Sequence, residues 1–232
     1  MVKAEAAISK IVEKAHIPVI TGGSVMYLYS LLDGIFKGPG KNFKLRKELK
    51  RRVRKQGKMS IYQELEKIDP SAAVKIHPND FKRIARAIEV YYQTGRRISE
   101  LKKQKKGICS RYDTMIYAVS GNRARIYERI NSRVDEMINK GLLDEVKNLC
   151  SAGMSLTAYQ AHGYKEIIAY LEGEYDFNEA IRLIKRNTRR FAKRQLSWLK
   201  RDKRIRWINL DDFDSIRSAA EFIACKINPV KI

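Results

Sequence analysis

Three short runs rich in β-branched and aromatic residues interrupt an otherwise helical pattern, and they limit the folds available to this chain. The runs are Val19–Thr21, Thr114–Ser120 and Ile205–Leu210. Residues of these types favour strands, whereas the longer segments between the runs carry apolar residues at three- and four-residue steps, which favours amphipathic helices. Strands that alternate with helices indicate an α/β core. We expect the first run to be a buried strand that ends at Gly22-Gly23.

The segment between the first two runs has a different character. Gly38, Pro39 and Gly40 interrupt the chain, and only helical patterns follow, with Gly95 expected to end the last of them in the left-handed conformation. We therefore predict three parts, which are a first core segment at 1–40, an all-helical insertion at 41–112 and a second core segment at 113–232. The helices are expected at about 2–15, from a cap at Ser24 through Leu32, and at about 42–56, 59–68, 71–76, 79–94, 123–140, 142–152, 164–172, 177–201 and 213–226.

The charge of the chain restricts its partners. Its 232 residues include 48 Lys and Arg against 26 Asp and Glu, which gives a formal net charge of +22. So many positive charges repel one another in a compact chain and destabilise the folded state. Their excess therefore indicates a polyanionic partner, either nucleic acid or an anionic membrane surface. No apolar run is long enough to cross a bilayer, and the N-terminus lacks the pattern of a signal peptide. We expect a cytosolic protein that binds no membrane.

Residues 182–206 concentrate the positive charge. Twelve of them are Lys or Arg, and Asp202 is the one acidic residue among them. The spacing of Ile184, Phe191 and Trp198 predicts a single apolar stripe, so we expect Trp198 to pack in the core. Because the flanks of the helix would project cations that nothing neutralises, nucleic acid is the favoured partner. A metal site is not predicted, since Cys109, Cys150 and Cys225 form no C-x-x-C pair.

Five segments, in one order, resemble tRNA dimethylallyltransferases. They are IPVITGGSVMYLYSLLDG at 17–34, IDPSAAVKIHPNDFKRIARAIEVYYQTG at 68–95, RARIYERINSRVDEMINKGLLDEV at 123–146, YQAHGYKEIIAYLEGE at 159–174 and AKRQLSWLKRD at 192–202. The resemblance implies an α/β fold with a P-loop-NTPase-like core, in which helices flank a parallel sheet, and with an all-helical insertion domain. It also implies that the partner is a tRNA anticodon stem-loop and that the protein is a monomer.

One part of the family pattern is missing from the sequence. Members carry a P-loop, G-x-x-x-x-G-K-S/T, and a nearby catalytic aspartate, and this chain contains neither motif. The resemblance therefore implies an N-terminally truncated, incomplete core without residues for the diphosphate or for a metal. The complete enzyme would use Mg²⁺ and transfer a dimethylallyl group from dimethylallyl diphosphate to the exocyclic amine of the adenosine 3′ of the anticodon. We expect the chain alone to be inactive.

The resemblance assigns residues to two roles. By itself, Gly22-Gly23-Ser24 is more typical of a strand-to-helix turn with a serine cap. The resemblance reverses this preference, because Ser24 stands where the family has a catalytic Thr. The residues implied to bind tRNA are Arg46, Lys82, Arg83, Ile84, Ala85, Arg86, Gln160, Ala161, His162, Gly163, Tyr164, Lys165, Lys193, Arg194, Gln195, Leu196, Ser197, Trp198, Leu199 and Lys200.

Some of these assignments have simpler explanations. Arg83 and Arg86 are three residues apart on one helical face and suit backbone phosphates, or they are ordinary surface arginines. Tyr164 either stacks on a base or packs in the core. His162 stands where the family commonly has an aliphatic residue, so its role is open. Two other functions also remain, which are prenylation of free adenine nucleotide and RNA binding by a remnant without chemistry.

Overall fold

The computed structural model describes residues 2–36 and 38–227. These residues form two compact units. The helical unit comprises residues 2–18, 26–36 and 38–113, and the sheet unit comprises residues 19–25 and 114–227. The division into three parts that the sequence indicates stays a prediction. Residues 1, 37 and 228–232 of those parts lie outside the described residues.

The helical unit contains seven helices in its described part. Asn42 and Asp80 cap two of them, because their side chains accept the backbone N–H of Leu45 at 3.0 Å and of Arg83 at 3.1 Å. Gly95 ends the helix that Asp80 begins and has φ 67°, the left-handed conformation predicted for it. The helices are α1 (Val2–Val12), α2 (Val25–Leu32), α3 (Phe43–Gln56), α4 (Met59–Ile68), α5 (Pro70–Ala73), α6 (Phe81–Thr94) and α7 (Ile98–Lys103).

One apolar cluster holds α3 to α7 together. Leu49 of α3, Ile61 and Leu65 of α4 and Ile84 and Ile88 of α6 are at most 1% exposed. Burial of each such side chain stabilises the fold by about 1.5 to 3 kcal/mol. A smaller cluster joins Ile8 of α1, Leu31 of α2 and Ile108.

The sheet unit is built around two parallel strands, β1 (Ile116–Ser120) and β2 (Ile205–Asn209), with Ile116 opposite Ile205 and Ser120 opposite Asn209. A parallel pair needs a long crossover, and helices supply it. The helices of this unit are α8 (Arg123–Asn139), α9 (Leu142–Ala152), α10 (Leu156–Tyr159), α11 (Tyr164–Leu171), α12 (Phe177–Leu199) and α13 (Ile216–Lys226). Their core contains Val134, Val146, Ile167, Ala180 and Ile184.

The predicted strand at Val19–Thr21 is wrong. Residues 17–22 have no regular secondary structure, and the side chains of Val19 and Ile20 are 74% and 44% exposed. A strand needs a neighbour for its backbone N–H and C=O groups, and the sheet in the described part of the chain pairs only β1 with β2. The other two strands and the long helices are confirmed to within a few residues, whereas the short helices α7 and α10 were not predicted.

The described residues contain no helix that is long and apolar enough to span a membrane.

Candidate nucleic-acid interface

A buried carboxylate organises the first group of predicted tRNA-binding residues. Glu89 of α6 is 0% exposed and accepts four hydrogen bonds. Its Oε1 accepts from the backbone N–H of Asn42 at 2.6 Å and from Arg46 Nε at 2.8 Å. Its Oε2 accepts from Arg46 Nη2 and from Arg86 Nη1, both at 2.7 Å. Two of the predicted cations are therefore ion-paired to the same carboxylate.

Arg86 also holds the chain just before α3. Its Nη2 donates to the carbonyl of Pro39 at 2.9 Å, and its guanidinium lies 6.0 Å from the centre of the Phe36 ring. These contacts fix the guanidinium in a defined position. Arg86 is thus a structural clamp between α6 and the residues around Pro39, with a side chain that remains 28% exposed.

The charge of Glu89 depends on its partners. Burial, the largest single influence, raises the pKa of this carboxyl, but the hydrogen bonds from Arg46, Arg86 and the Asn42 backbone outweigh it, so the pKa falls to about 2. The same pairing raises the pKa of Arg46. At neutral pH the cluster consists of one anion and two cations, which leaves a net positive charge beside the N-terminus of α3.

The remaining residues of the 82–86 segment divide between surface and core. Lys82 and Arg83 are exposed, and Arg83 Nε lies 3.4 Å from Asp80 Oδ2 with 65% of its side chain exposed. Ile84 and Ala85 are 0% and 2% exposed and belong to the core. Their side chains are therefore not accessible to RNA in this conformation, and a contact of these two residues with RNA stays a prediction.

In the sheet unit, a second buried carboxylate fixes residues 160–165, which are the connection after α10 and the first two residues of α11 and are called the 160–165 loop below. Glu166 is 3% exposed, and its Oε2 accepts the backbone N–H of Gly163 at 2.9 Å while its Oε1 accepts Asn187 Nδ2 of α12 at 2.7 Å. Gly163 has φ 95°, which favours glycine. The loop is therefore attached to α12 just before α11 begins.

The side chains of this loop have different environments. Gln160 is exposed, while Ala161 and Lys165 are partly buried, and Lys165 Nζ lies 3.4 Å from Glu166 Oε1. Tyr164 donates its hydroxyl to Glu145 and packs partly against the core, and this hydrogen bond is the main reason that its pKa is raised. Packing, one of the two roles considered for Tyr164, is the one observed.

His162 contacts α12. Its ring lies edge-on to Phe191, with 5.0 Å between the ring centres, and the guanidinium of Arg194 lies 5.9 Å from the centre of the same Phe191 ring. Burial lowers the pKa of His162, and the positive charges of Lys165 and Arg194 lower it further. The loop and the C-terminal half of α12 therefore meet at an imidazole whose neutral form is favoured.

The C-terminal half of α12 is more exposed than its pattern predicts. The buried residues of α12, Ala180 and Ile184, lie in its N-terminal half. In the C-terminal half, Phe191 is 37% and Trp198 is 46% exposed. The expectation that Trp198 packs in the core is wrong, because the apolar stripe is covered only over the first turns of the helix. In the predicted segment, the exposed residues are Lys193, Arg194, Ser197, Trp198 and Lys200, and the partly buried ones are Gln195, Leu196 and Leu199.

The Gly22-Gly23-Ser24 turn lies beside α12 within the same unit. Gln195 Nε2 donates to the carbonyl of Gly23 at 2.5 Å, and a Cβ added at Gly23 would lie 2.8 Å from that nitrogen. The side chain of Ser24 is exposed. The sheet unit thus brings the catalytic candidate close to the basic half of α12, a relation that the sequence alone did not indicate.

Possible metal ligands are scattered in the described part of the chain. The residues at 2–36 and 38–227 contain no group of three or more His, Cys, Asp or Glu side chains placed to hold a metal ion. Divalent magnesium needs oxygen ligands, typically carboxylates and phosphates. The described side chains therefore do not fit an all-protein magnesium site.

Glu89, Glu166 and Asn187 organise these surfaces, and sequence reasoning overlooked all three. For Glu89 the sequence does indicate a buried acidic residue, because Glu89 stands on the apolar stripe of α6, one position after Ile88. An acidic residue on a buried face needs a partner. For Glu166, the spacing after Gly163 suits a glutamate that caps the start of a helix.

Known proteins resemble this chain along most of its length. The sequence pattern of the IPP transferase family matches residues 1–202. The tRNA dimethylallyltransferase of Halothermothrix orenii is 46% identical over 207 residues, which cover 88% of this chain and 63% of that protein. The enzyme of the same name from Alkaliphilus oremlandii is 43% identical, over 93% of this chain and 70% of the relative. This chain therefore spans about two thirds of the length of these relatives.

Solved structures give the same relationship. The tRNA isopentenylpyrophosphate transferase of Bacillus halodurans superposes with a TM-score of 0.62 at 35% identity, covering 96% of this chain and 71% of that one. A eukaryotic dimethylallyltransferase acting on tRNA gives 0.68 at 26% identity, covering 96% and 60%. The predicted fold class, α/β with a parallel sheet and an all-helical part, is confirmed. The chain belongs to the IPP transferase family.

Proposed function

We propose that this chain supplies the tRNA-binding part of a tRNA dimethylallyltransferase. The complete enzyme transfers a dimethylallyl group from dimethylallyl diphosphate to the exocyclic amine of the adenosine 3′ of the anticodon. The observation that carries the proposal lies in the sheet unit. There a hydrogen bond from Gln195 to Gly23 joins the Gly22–Ser24 turn to the basic half of α12. The ring contact between His162 and Phe191 joins the 160–165 loop to the same helix.

The charges support RNA as the partner. Phosphate contacts from Lys and Arg release counterions, which supplies much of the affinity for nucleic acid. On α12, Lys193, Arg194 and Lys200 are exposed, and on α6 so are Lys82 and Arg83. Each unit thus presents its own basic surface, and these surfaces would position the anticodon stem-loop through its backbone. The protein acts as a monomer in this proposal.

Ser24 would act at the reacting base. An adenine amine inside a stacked loop is out of reach, so the base must first leave the stack. The exposed Ser24 hydroxyl can donate one hydrogen bond and accept others, which suits a group that orients the amine. The amine also needs a proton acceptor, that is, a general base. The sequence offers no candidate of the family type for that role.

By itself, the chain would bind tRNA without transferring the prenyl group. A diphosphate leaving group develops negative charge, which P-loop amides, a lysine and Mg²⁺ stabilise in enzymes of this kind. The sequence contains no G-x-x-x-x-G-K-S/T motif. Among the described residues, none is assigned to the diphosphate or to Mg²⁺, so the proposed share of this chain is to bind and to orient the RNA.

A transfer assay run beside a binding assay tests the proposal. The RNA is an anticodon stem-loop with adenosine 3′ of the anticodon, and the donor is radiolabelled dimethylallyl diphosphate with Mg²⁺. The full-length relative from Halothermothrix orenii serves as the positive control for transfer. We expect a gel shift with this chain and no label in the RNA. Labelled RNA would refute the claim that the chain is inactive alone, and the absence of any gel shift would refute RNA binding.

A further inference from the structure

The aromatic pair His162–Phe191 lies at the surface where the 160–165 loop meets α12. Phe191 is 37% exposed although it lies on the stripe whose first members are buried. Its ring meets His162 on one side, with 5.0 Å between ring centres and planes inclined by 63°. Arg194 follows one turn later on the same helix, with its guanidinium 5.9 Å from the Phe191 ring centre. Two rings and a cation therefore share one partly exposed surface.

This surface combines two properties that suit a nucleotide. An aromatic face attracts the flat face of any base, and a nearby arginine attracts the phosphate that follows it. Lys193 and Lys200 add positive charge along the same half of α12, and both are exposed. A protein partner would be expected to cover a wider apolar patch, whereas here single rings alternate with cations along the helix.

His162 contributes a ring whose neutral form is favoured. Burial and the positive charges of Lys165 and Arg194 lower the pKa of this imidazole. A neutral imidazole is no counter-ion for phosphate, but it provides one donor, one acceptor and an aromatic face. The chemistry of the pair therefore favours contact with a base, while Arg194 is suited to the backbone.

We propose that Phe191, with His162 edge-on to its ring, forms a stacking platform for an unpaired nucleobase of the bound RNA, with Arg194 on the adjacent phosphate. This inference rests on the proposed tRNA binding and specifies which part of the RNA the sheet unit contacts, namely an unstacked loop base rather than the paired stem. Recognition by stacking tolerates different bases, so the platform would hold a loop nucleotide without selecting its identity.

The platform can be tested with loop and duplex RNA. The full chain is titrated with an anticodon stem-loop that carries 2-aminopurine at one loop position at a time, and with a duplex of equal phosphate number. We expect Phe191→Leu to weaken stem-loop binding about 5-fold to about 100-fold, to abolish the fluorescence quenching at one loop position, and to leave duplex binding and the salt dependence unchanged. Arg194→Gln should instead reduce the slope of affinity against salt by about 1.

Two further variants separate the platform from general effects. Phe222→Leu is the matched control, because Phe222 of α13 is 42% exposed and also lies near a cation, with Lys226 Nζ 5.3 Å from its ring centre. It should bind like the unmodified chain. Phe191→Tyr keeps an aromatic face and should restore quenching even if Phe191→Leu lowers thermal stability.

The outcomes distinguish this inference from the proposed function. Equal stem-loop affinity of Phe191→Leu and the unmodified chain, or an equal loss on loop and duplex RNA, would overturn the platform and leave tRNA binding intact. If the unmodified chain binds neither RNA, both the proposed function and the platform are overturned.

Discussion

Glu89 and Arg46 face each other through two hydrogen bonds, 2.8 Å from Nε to Oε1 and 2.7 Å from Nη2 to Oε2. The carboxylate is 0% exposed, while the arginine side chain is 32% exposed. Arg46, a predicted RNA-binding cation, is therefore ion-paired with the buried Glu89 carboxylate, and only part of its side chain is accessible to a ligand.

Replacement of Glu89 by Gln should destabilise the helical unit. Gln cannot offset the charges of Arg46 and Arg86, and breaking a buried ion pair typically costs about 3 to 5 kcal/mol. Because both arginines are partly exposed, we expect about 3 kcal/mol, measured by urea unfolding followed by circular dichroism. Glu100→Gln, which removes an exposed carboxylate 4.0 Å from Arg97, is the control and should change stability little. Equal stability of both variants would contradict this role of Glu89.

Acid should remove the stabilisation that Glu89 provides. Its pKa in the folded protein, about 2, lies below the ordinary value of 4.5. Its contribution is therefore fully present above about pH 4.5 and is lost as the pH falls from there towards 2. We expect the free energy of unfolding of the unmodified chain to fall more steeply over this range than that of Glu89→Gln. Parallel curves for the two proteins would show that Glu89 does not carry this effect.

Arg83 and Arg86 should respond differently to alanine. Arg83→Ala removes a cation whose side chain is 65% exposed, so tRNA affinity should fall a few-fold while stability changes by less than about 0.5 kcal/mol. Arg86→Ala removes the clamp on Glu89 and Pro39 and should lower thermal stability. The control is Arg97→Ala, an exposed arginine outside the predicted contacts. An Arg83→Ala protein that binds as tightly as Arg97→Ala would exclude α6 from the RNA surface.

Loss of the Glu166 carboxylate should loosen the 160–165 loop. Glu166→Ala leaves the Gly163 N–H and the Asn187 amide without the partners they have at 2.9 and 2.7 Å. Such an unsatisfied group costs about 1 to 3 kcal/mol. Hydrogen exchange should become faster in a peptide covering the loop, and tRNA binding should weaken. Unchanged exchange would mean that the loop is held by other contacts.

The helix end at Gly95 was predicted because its signal is local. Gly95 donates its backbone N–H to the carbonyl of Tyr91, four positions away, so the sequence contains the whole interaction. The caps Asn42 and Asp80 are equally local, since each accepts a backbone N–H three positions ahead, but the sequence analysis did not single them out. The ion pair of Arg46 with Glu89 joins residues 43 positions apart. No periodicity reports such a pair, and Arg86 and Glu89 alone resemble an ordinary surface pair at three-residue spacing.

The errors have the same origin. The exposed position of Trp198 depends on how far other helices extend along α12. Whether Val19–Thr21 forms a strand depends on whether another strand lies next to this segment. Neither property belongs to the segment itself. The site was predictable only by resemblance, which named Ser24 and the loop but gave no reason for the contact between Gln195 and Gly23.

The affinity of the chain for a tRNA anticodon stem-loop as a function of salt tests the central claim most directly. Fluorescence anisotropy would be measured between about 50 and about 200 mM salt with the unmodified chain. A basic surface that contacts several phosphates should lose about a thousandfold in affinity or more over this range. A steep linear fall of log affinity against log salt is the predicted result. An affinity that is flat in salt would contradict the account, because the net charge of +22 would then have no part in binding.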